Sequence, residues 1–187
     1  MSGKGYLTDH LLIAMPALAD PNFSQAVTYI CEHGDDGALG IIVNRPGDMQ
    51  LSDILAQMNV HAEDSAIASR PVYQGGPVSP ERGFVVHTGD FQWEATLRVS
   101  DRISVTSSRD ILEAIAAGEG PAEFLVALGY AGWEAGQLDS EMRENAWLSA
   151  EADPHILFRT PDEERWQAAA RLLGIDMERL SGDAGNA

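Results

Sequence analysis

The sequence predicts an α+β fold in a single domain. Strand-like apolar runs dominate the first half, helical spacing mixes in later, and no regular strand–helix alternation repeats along the 187 residues. That length suits one core, with the ordered part expected over about residues 5–180 and a frayed tail of Gly, Ala, Asp and Asn over 181–187.

The first elements follow from apolar runs and their breakers. Leu11–Met15 is a continuous apolar run, expected as a buried strand ended by Pro16, and Asp20-Pro21-Asn22 is a turn. Ala26–Glu32 and Gly40–Asn44 read as partner strands around the hairpin chemistry of Asp35-Asp36-Gly37. Asn44-Arg45-Pro46 closes the second strand because proline cannot donate to a ladder. Leu51, Ile54, Leu55 and Met58 recur at helical spacing, whereas His61–Ser69 has no period and is expected to be a mobile connection. Val72–Gln74 and Gly83–Thr88 are expected strands on either side of Gly75-Gly76-Pro77. Trp93–Val99 and Ile103–Thr106 extend a meander.

Helical signals then increase. Ser107 with Asp110 resembles a capping signature, ahead of a stripe of Ile111, Leu112 and Ile115 and a stop at Gly118. The apolar run Phe124–Leu128 enters Gly129, Tyr130, Gly132, Trp133 and Gly136, expected as a tight strand-to-helix corner packed with aromatics. Gln137–Asn145 reads as helix, Trp147-Leu148 as an edge strand and His155–Phe158 as a short strand. Thr160-Pro161-Asp162-Glu163 reads as a capping box opening a helix that turns Trp166, Ala169, Ala170 and Leu173 inward and stops at Gly174.

Composition excludes several functions. Acidic residues outnumber basic ones 29 to 12, the net charge is −17, and Lys4 is the sole lysine. Phosphate backbones and anionic lipid surfaces are bound by clustered Lys and Arg, so direct nucleic-acid and membrane binding are disfavoured. One cysteine, Cys31, leaves no internal disulfide and no cysteine-based zinc cluster, which suits a cytoplasmic location. The run Leu11–Leu18 is too short to span a bilayer.

Several phrases together are similar to the AlgH/YqgE family of bacterial proteins. They are Asp20-Pro21-x-Phe23, Cys31-Glu32-His33, Gly40 through Asn44-Arg45-Pro46, Gly75-Gly76-Pro77-Val78, Arg82-Gly83-Phe84-Val85, Leu128–Leu138 and Asn145-Ala146-Trp147-Leu148. The resemblance spans roughly Leu7–Leu180. It implies a branched, mostly antiparallel sheet curled into a pseudo-barrel with helices packed outside. One branch bears a name tied to alginate regulation, which implies a transcriptional or other regulatory setting, and no catalytic residue set comes with the family. Gln25-Ala26 stands where Arg-Ser is common, and Asn186 where a terminal His is common.

Two sites are worth testing. Cys31 and His33, at i and i+2 of a strand, can share a face, and an imidazole beside a thiol favours the reactive thiolate. Free cysteines are also among the most buried residues, so the competing expectation is a core thiol. Asn44, Arg45, Gly75, Gly76 and Arg82 could form a small anion site, since arginine captures carboxylates and phosphates bidentately and exposed amides assist; internal pairing with acids is the alternative. The five histidines are widely separated and predict no metal site, His87 reads as a core histidine, and no cofactor motif occurs. Gly129, Tyr130, Gly132, Trp133, Gly136, Gln137, Asn145 and Trp147 are expected to pack rather than react. The leading expectation is a non-catalytic regulatory protein that binds another protein or a small anion. A Cys31–His33 redox sensor or enzyme and an acidic interaction scaffold stand as alternatives.

Overall fold

The computed structural model describes residues 6–18, 20–89 and 93–180. Its elements run β1 (His10–Ala14), β2 (Val27–Gly34), β3 (Gly37–Ile42), β4 (Pro46–Gln50), α1 (Leu51–Gln57), α2 (Ser65–Ala68), β5 (Pro71–Gln74) and β6 (Val78–His87). They continue β7 (Thr96–Arg98), β8 (Ser104–Thr106), α3 (Asp110–Ala116), β9 (Phe124–Glu134), α4 (Gln137–Arg143), β10 (Trp147–Glu151), α5 (Pro154–Phe158) and α6 (Asp162–Arg171). The sheet order is β10-β1-β2-β3-β9-β6-β8-β7, antiparallel throughout, with β4 and β5 off this path and β5 parallel to β9.

The long strand β9 explains the branching. One of its edges pairs with β6, while β5 takes Val126–Leu128 and β3 takes Ala131–Glu134. Gly75 makes the handover: its N–H donates to the Leu128 carbonyl at 2.7 Å, and its own carbonyl accepts from the Ile42 N–H at 2.8 Å. A Cβ on Gly75 would stand 2.4 Å from the Gly129 oxygen, and Gly129 itself has φ +80°. Only glycine tolerates that combination of close backbone approach and left-handed conformation.

Divergence of β3 from β5 curls the sheet into a half-barrel covered on both sides. Leu11, Ile13, Tyr29 and Val43 join Phe84, Val86 and Leu125 in one cluster, where Leu157, Trp166, Ala169 and Ala170 of α5 and α6 pack. In two further clusters, Leu51, Leu55, Ile111 and Ile115 cover Val85 and Val126, and Leu138 of α4 covers Leu12, Ile30 and Ala131. Successive residues of one strand therefore enter different clusters, which is why the strands read as unbroken apolar runs rather than alternating ones.

The two-residue turn Asp35-Asp36 joins β2 to β3 as the hairpin chemistry predicts. Elsewhere local signals misled. His155–Phe158 is helical, not extended: the Asp153 carboxylate caps α5 by accepting from the His155 N–H at 2.9 Å, with Pro154 in the first turn. The Thr160 hydroxyl donates to the His155 carbonyl at 3.1 Å, so it does not cap α6, which begins at Asp162 with Pro161 in the cap position. Leu173 is 41% exposed, because α6 has ended by then. The expected connection His61–Ser69 contains α2, capped by Asp64, and buries Ala62. The strand at Trp93–Val99 shrinks to Thr96–Arg98, and β6 begins five residues earlier than Gly83. No tight corner follows Leu128: β9 runs on through Gly129, Tyr130, Gly132 and Trp133, and the turn into α4 falls at Gly136 with φ +76°. The expected frayed tail 181–187 lies outside the described residues.

Candidate functional site

Cys31 and His33 each line an open cleft of about 590 Å³ beside the first hairpin, with Thr8, Asp35, Leu97 and Trp133. Between Ile30 and Glu32 the β2–β3 register slips, making Cys31 the bulged residue. A bulge disturbs the strict alternation that would place i and i+2 side by side. Cys31 packs into the cluster under α5 and α6 at 2% exposure, with its thiol against the Tyr29 carbonyl at 3.9 Å. Burial, and then the neighbouring Glu32 charge, push the thiol well above the ordinary cysteine range. His33 is committed elsewhere. Its Nδ1 accepts the Leu7 N–H at 2.8 Å, which leaves the proton on Nε2, 3.5 Å from the Asp139 carboxylate. The imidazole fastens the N-terminal segment to α4, and the thiol is a core group.

The anion-site residues also separate. Asn44 is engaged within the fold, accepting the Val27 N–H and donating to the Gln25 carbonyl, both at 2.9 Å. The Gly75 amide is bonded to Leu128, and exposed Arg82 lies over the Phe84 ring at 5.2 Å. Arg45 and Gly76 alone of the five line a cleft of about 390 Å³ at the sheet's branch point, with Asn22, Met49, Tyr73 and Leu128. The Arg45 guanidinium is half-buried and donates to the Asn22 carbonyl and, at 2.6 Å, to the Ser24 carbonyl. Desolvation lowers its pKa, opposed by the charge of Asp20. Among the described residues no carboxylate oxygen lies within ion-pair distance of it, whereas Arg98, Arg109, Arg159 and Arg165 each have one. Asp48 stands at the cleft's exposed rim.

The sequence reading missed what holds this cleft from behind. Arg165, 2% exposed, donates to the carbonyls of Ile156 (2.8 Å), Thr160 (2.6 Å) and Val43, and to Asp162 at 3.0 Å. Asp162 in turn accepts the Tyr73 hydroxyl at 2.7 Å. Burial first, then the Asp162 hydrogen bond, push Tyr73 up to about 12. The i,i+3 spacing of Asp162 and Arg165 was the available signal, and it also describes countless exposed pairs.

Two further polar knots are structural. Glu141 Oε1 accepts the indole N–H of both Trp133 (3.0 Å) and Trp147 (2.9 Å), while its Oε2 accepts from Gln137 at 2.9 Å. Fully buried His87 has Nδ1 3.1 Å from the Thr88 carbonyl, which can only accept, so Nδ1 carries the proton. Nε2 then accepts from the Thr106 hydroxyl at 2.7 Å, and Thr106 accepts from Thr96 at 2.8 Å. This neutral state is reinforced by burial, which lowers the His87 pKa. His87 is thus a hydrogen-bonded core residue, and Asn145 with φ +59° closes the turn after α4.

A family model described as AlgH-like matches residues 11–178. The chain belongs to that AlgH-like family. A UPF0301 protein of Thioalkalivibrio sulfidiphilus is 52% identical over 187 residues, covering 100% of both chains. One from Nitrosococcus oceani is 52% identical and covers 97% of each. The solution structure of the AlgH protein from Pseudomonas aeruginosa superposes with a TM-score of 0.80 at 46% identity, covering 97% of this chain and 96% of that one. Protein DIP2367 of Corynebacterium diphtheriae shares the fold at a TM-score of 0.75 and 19% identity, over 94% and 91% of the two chains. The AlgH-like fold is therefore the curled α+β half-barrel. Among the described residues, no helix is long and apolar enough to cross a membrane.

Proposed function

We propose that this AlgH-like protein is a non-catalytic binding protein that takes a small anion, a carboxylate or phosphate, in the branch-point cleft. Arg45 carries the reading. Its guanidinium is fixed by two carbonyls rather than neutralised by a carboxylate, and it lines a cleft of about 390 Å³. Five N–H donors in a rigid fork leave some for a ligand, and partial desolvation strengthens whatever bond they make. Tyr73, tied to Asp162 and Arg165, keeps the adjoining wall in place. A buried thiol committed to the core argues against chemistry at Cys31. A regulatory role in the cytoplasm without direct DNA contact suits such a protein, and the net charge of −17 supports the last point.

Isothermal titration with phosphate and with butanoate tests this reading. Wild-type protein is expected to bind at least one of them, and Arg45→Gln to weaken that binding about tenfold or more, as loss of hydrogen bonds to a charged group requires. Arg45→Lys, which keeps the charge but loses the fork, should fall between them. Equal binding by all three proteins would remove Arg45 from the site.

A further inference from the structure

We infer that the anion is the head of an amphipathic acid, and that its unbranched apolar tail crosses Met49 into a neighbouring groove. This inference rests on the proposed anion site at Arg45. The groove has a volume of about 350 Å³ and is lined by Ile54, Leu112 and Val126. Met49 and Leu128 line both it and the Arg45 cleft, so the two spaces share a wall made of half-buried apolar side chains. Methionine is the side chain best able to move aside, having three rotatable bonds and no branch. Leu128 and Val126, two apart on β9, present one continuous floor, because alternate residues of a strand share a face.

The polar groups assign head and tail. The cation in the second groove, Arg109, is paired with Glu113 at 3.7 Å. Ser108 is occupied by the Asp110 carboxylate at 2.6 Å and the Ala95 N–H at 2.9 Å. Glu81 on that groove's lip and Asp48 on the rim of the first both repel a carboxylate. Arg45, with no carboxylate within ion-pair distance among the described residues, remains the place for the head, and the apolar walls beyond Met49 suit a hydrocarbon. Each lobe falls within the range of about 300–1,000 Å³ usual for small-molecule sites.

The test is a chain-length series of butanoate, octanoate and decanoate, titrated calorimetrically below their aggregation concentrations. Affinity should rise by about fourfold for each methylene that enters the groove. Leu112→Glu, at a half-buried position on the groove wall, should abolish that rise while leaving butanoate binding unchanged. Ile54→Gln provides an independent variant on α1 should the first fail to fold. If butanoate binds and decanoate binds no better, the tail is wrong and the anion site stands. If decanoate binds the groove variants as tightly as wild type, the tail lies elsewhere and the inference is overturned. If none of the three acids binds, this inference falls, and the phosphate titration decides whether the anion site at Arg45 stands without it.

Discussion

The two clefts differ in what their polar atoms are already doing. Beside the first hairpin, the thiol and both imidazole nitrogens have internal partners: the Cys31 thiol faces Tyr29, His33 Nδ1 holds Leu7, and Nε2 faces Asp139. At the branch point, Arg45 is positioned by carbonyls, which fix a guanidinium without cancelling its charge. Residue type alone favoured the hairpin as the chemical site. Partner type favours the branch point, because a group can serve a ligand only with the valence its own fold leaves over.

The largest expected effect concerns the support behind the branch point. Arg165→Met should destabilise the protein by about 3–5 kcal/mol, since it leaves three carbonyls short of a donor and the part-buried Asp162 carboxylate with Tyr73 alone. Chemical denaturation measures this, and a loss below about 1 kcal/mol would mean that the network is solvated in practice.

A smaller effect is expected at His87. Thr106→Val removes the donor to Nε2 and should cost about 1–3 kcal/mol, the penalty for a buried acceptor left unpaired. The pH dependence has a definite sign. Burial lowers the folded-state pKa of His87, so the unfolded chain takes up a proton first as pH falls. The neutral ring's contribution is therefore fully present above the unfolded value of about 6.5 and is lost between there and the lower folded value. Following Tm of wild type and His87→Gln from pH 7 to 5 checks this: the wild-type curve should fall more steeply.

Legibility followed how local each determinant is. The β2–β3 hairpin and the apolar strands could be read, because turn chemistry and burial on both faces act on contiguous residues. Branching at Gly75 and Gly129 could be reached only through family resemblance, since it depends on backbones 54 residues apart in sequence passing within a Cβ's reach. His155–Phe158 carries strand-like residues, yet Asp153 and Pro154 start a helix there, and Thr160 was claimed by the wrong helix end. The Cys31–His33 pairing assumed an unbroken period of two, which the bulge removed. Arg45 was identified by type, but its separation from Arg82, Asn44 and Gly75 is a tertiary fact. Arg165 escaped notice because nothing in the local sequence distinguishes a buried i,i+3 pair from a solvated one.

The smallest expected effect is at the hairpin itself. Iodoacetamide at pH 8 should modify Cys31 only as fast as the fold opens, and Cys31→Ala should leave anion binding unchanged. Rapid alkylation of the native protein would return the thiol to consideration.

The most direct comparison of the two clefts is an amide chemical-shift titration with butanoate. Shifts are expected at Arg45, Gly76 and Met49 around the branch-point cleft, saturating together and vanishing in Arg45→Gln, with Glu32–Gly37 unmoved. Shifts confined to Glu32–Gly37, or a branch-point response that persists without the guanidinium, would contradict the assignment of the binding site to Arg45.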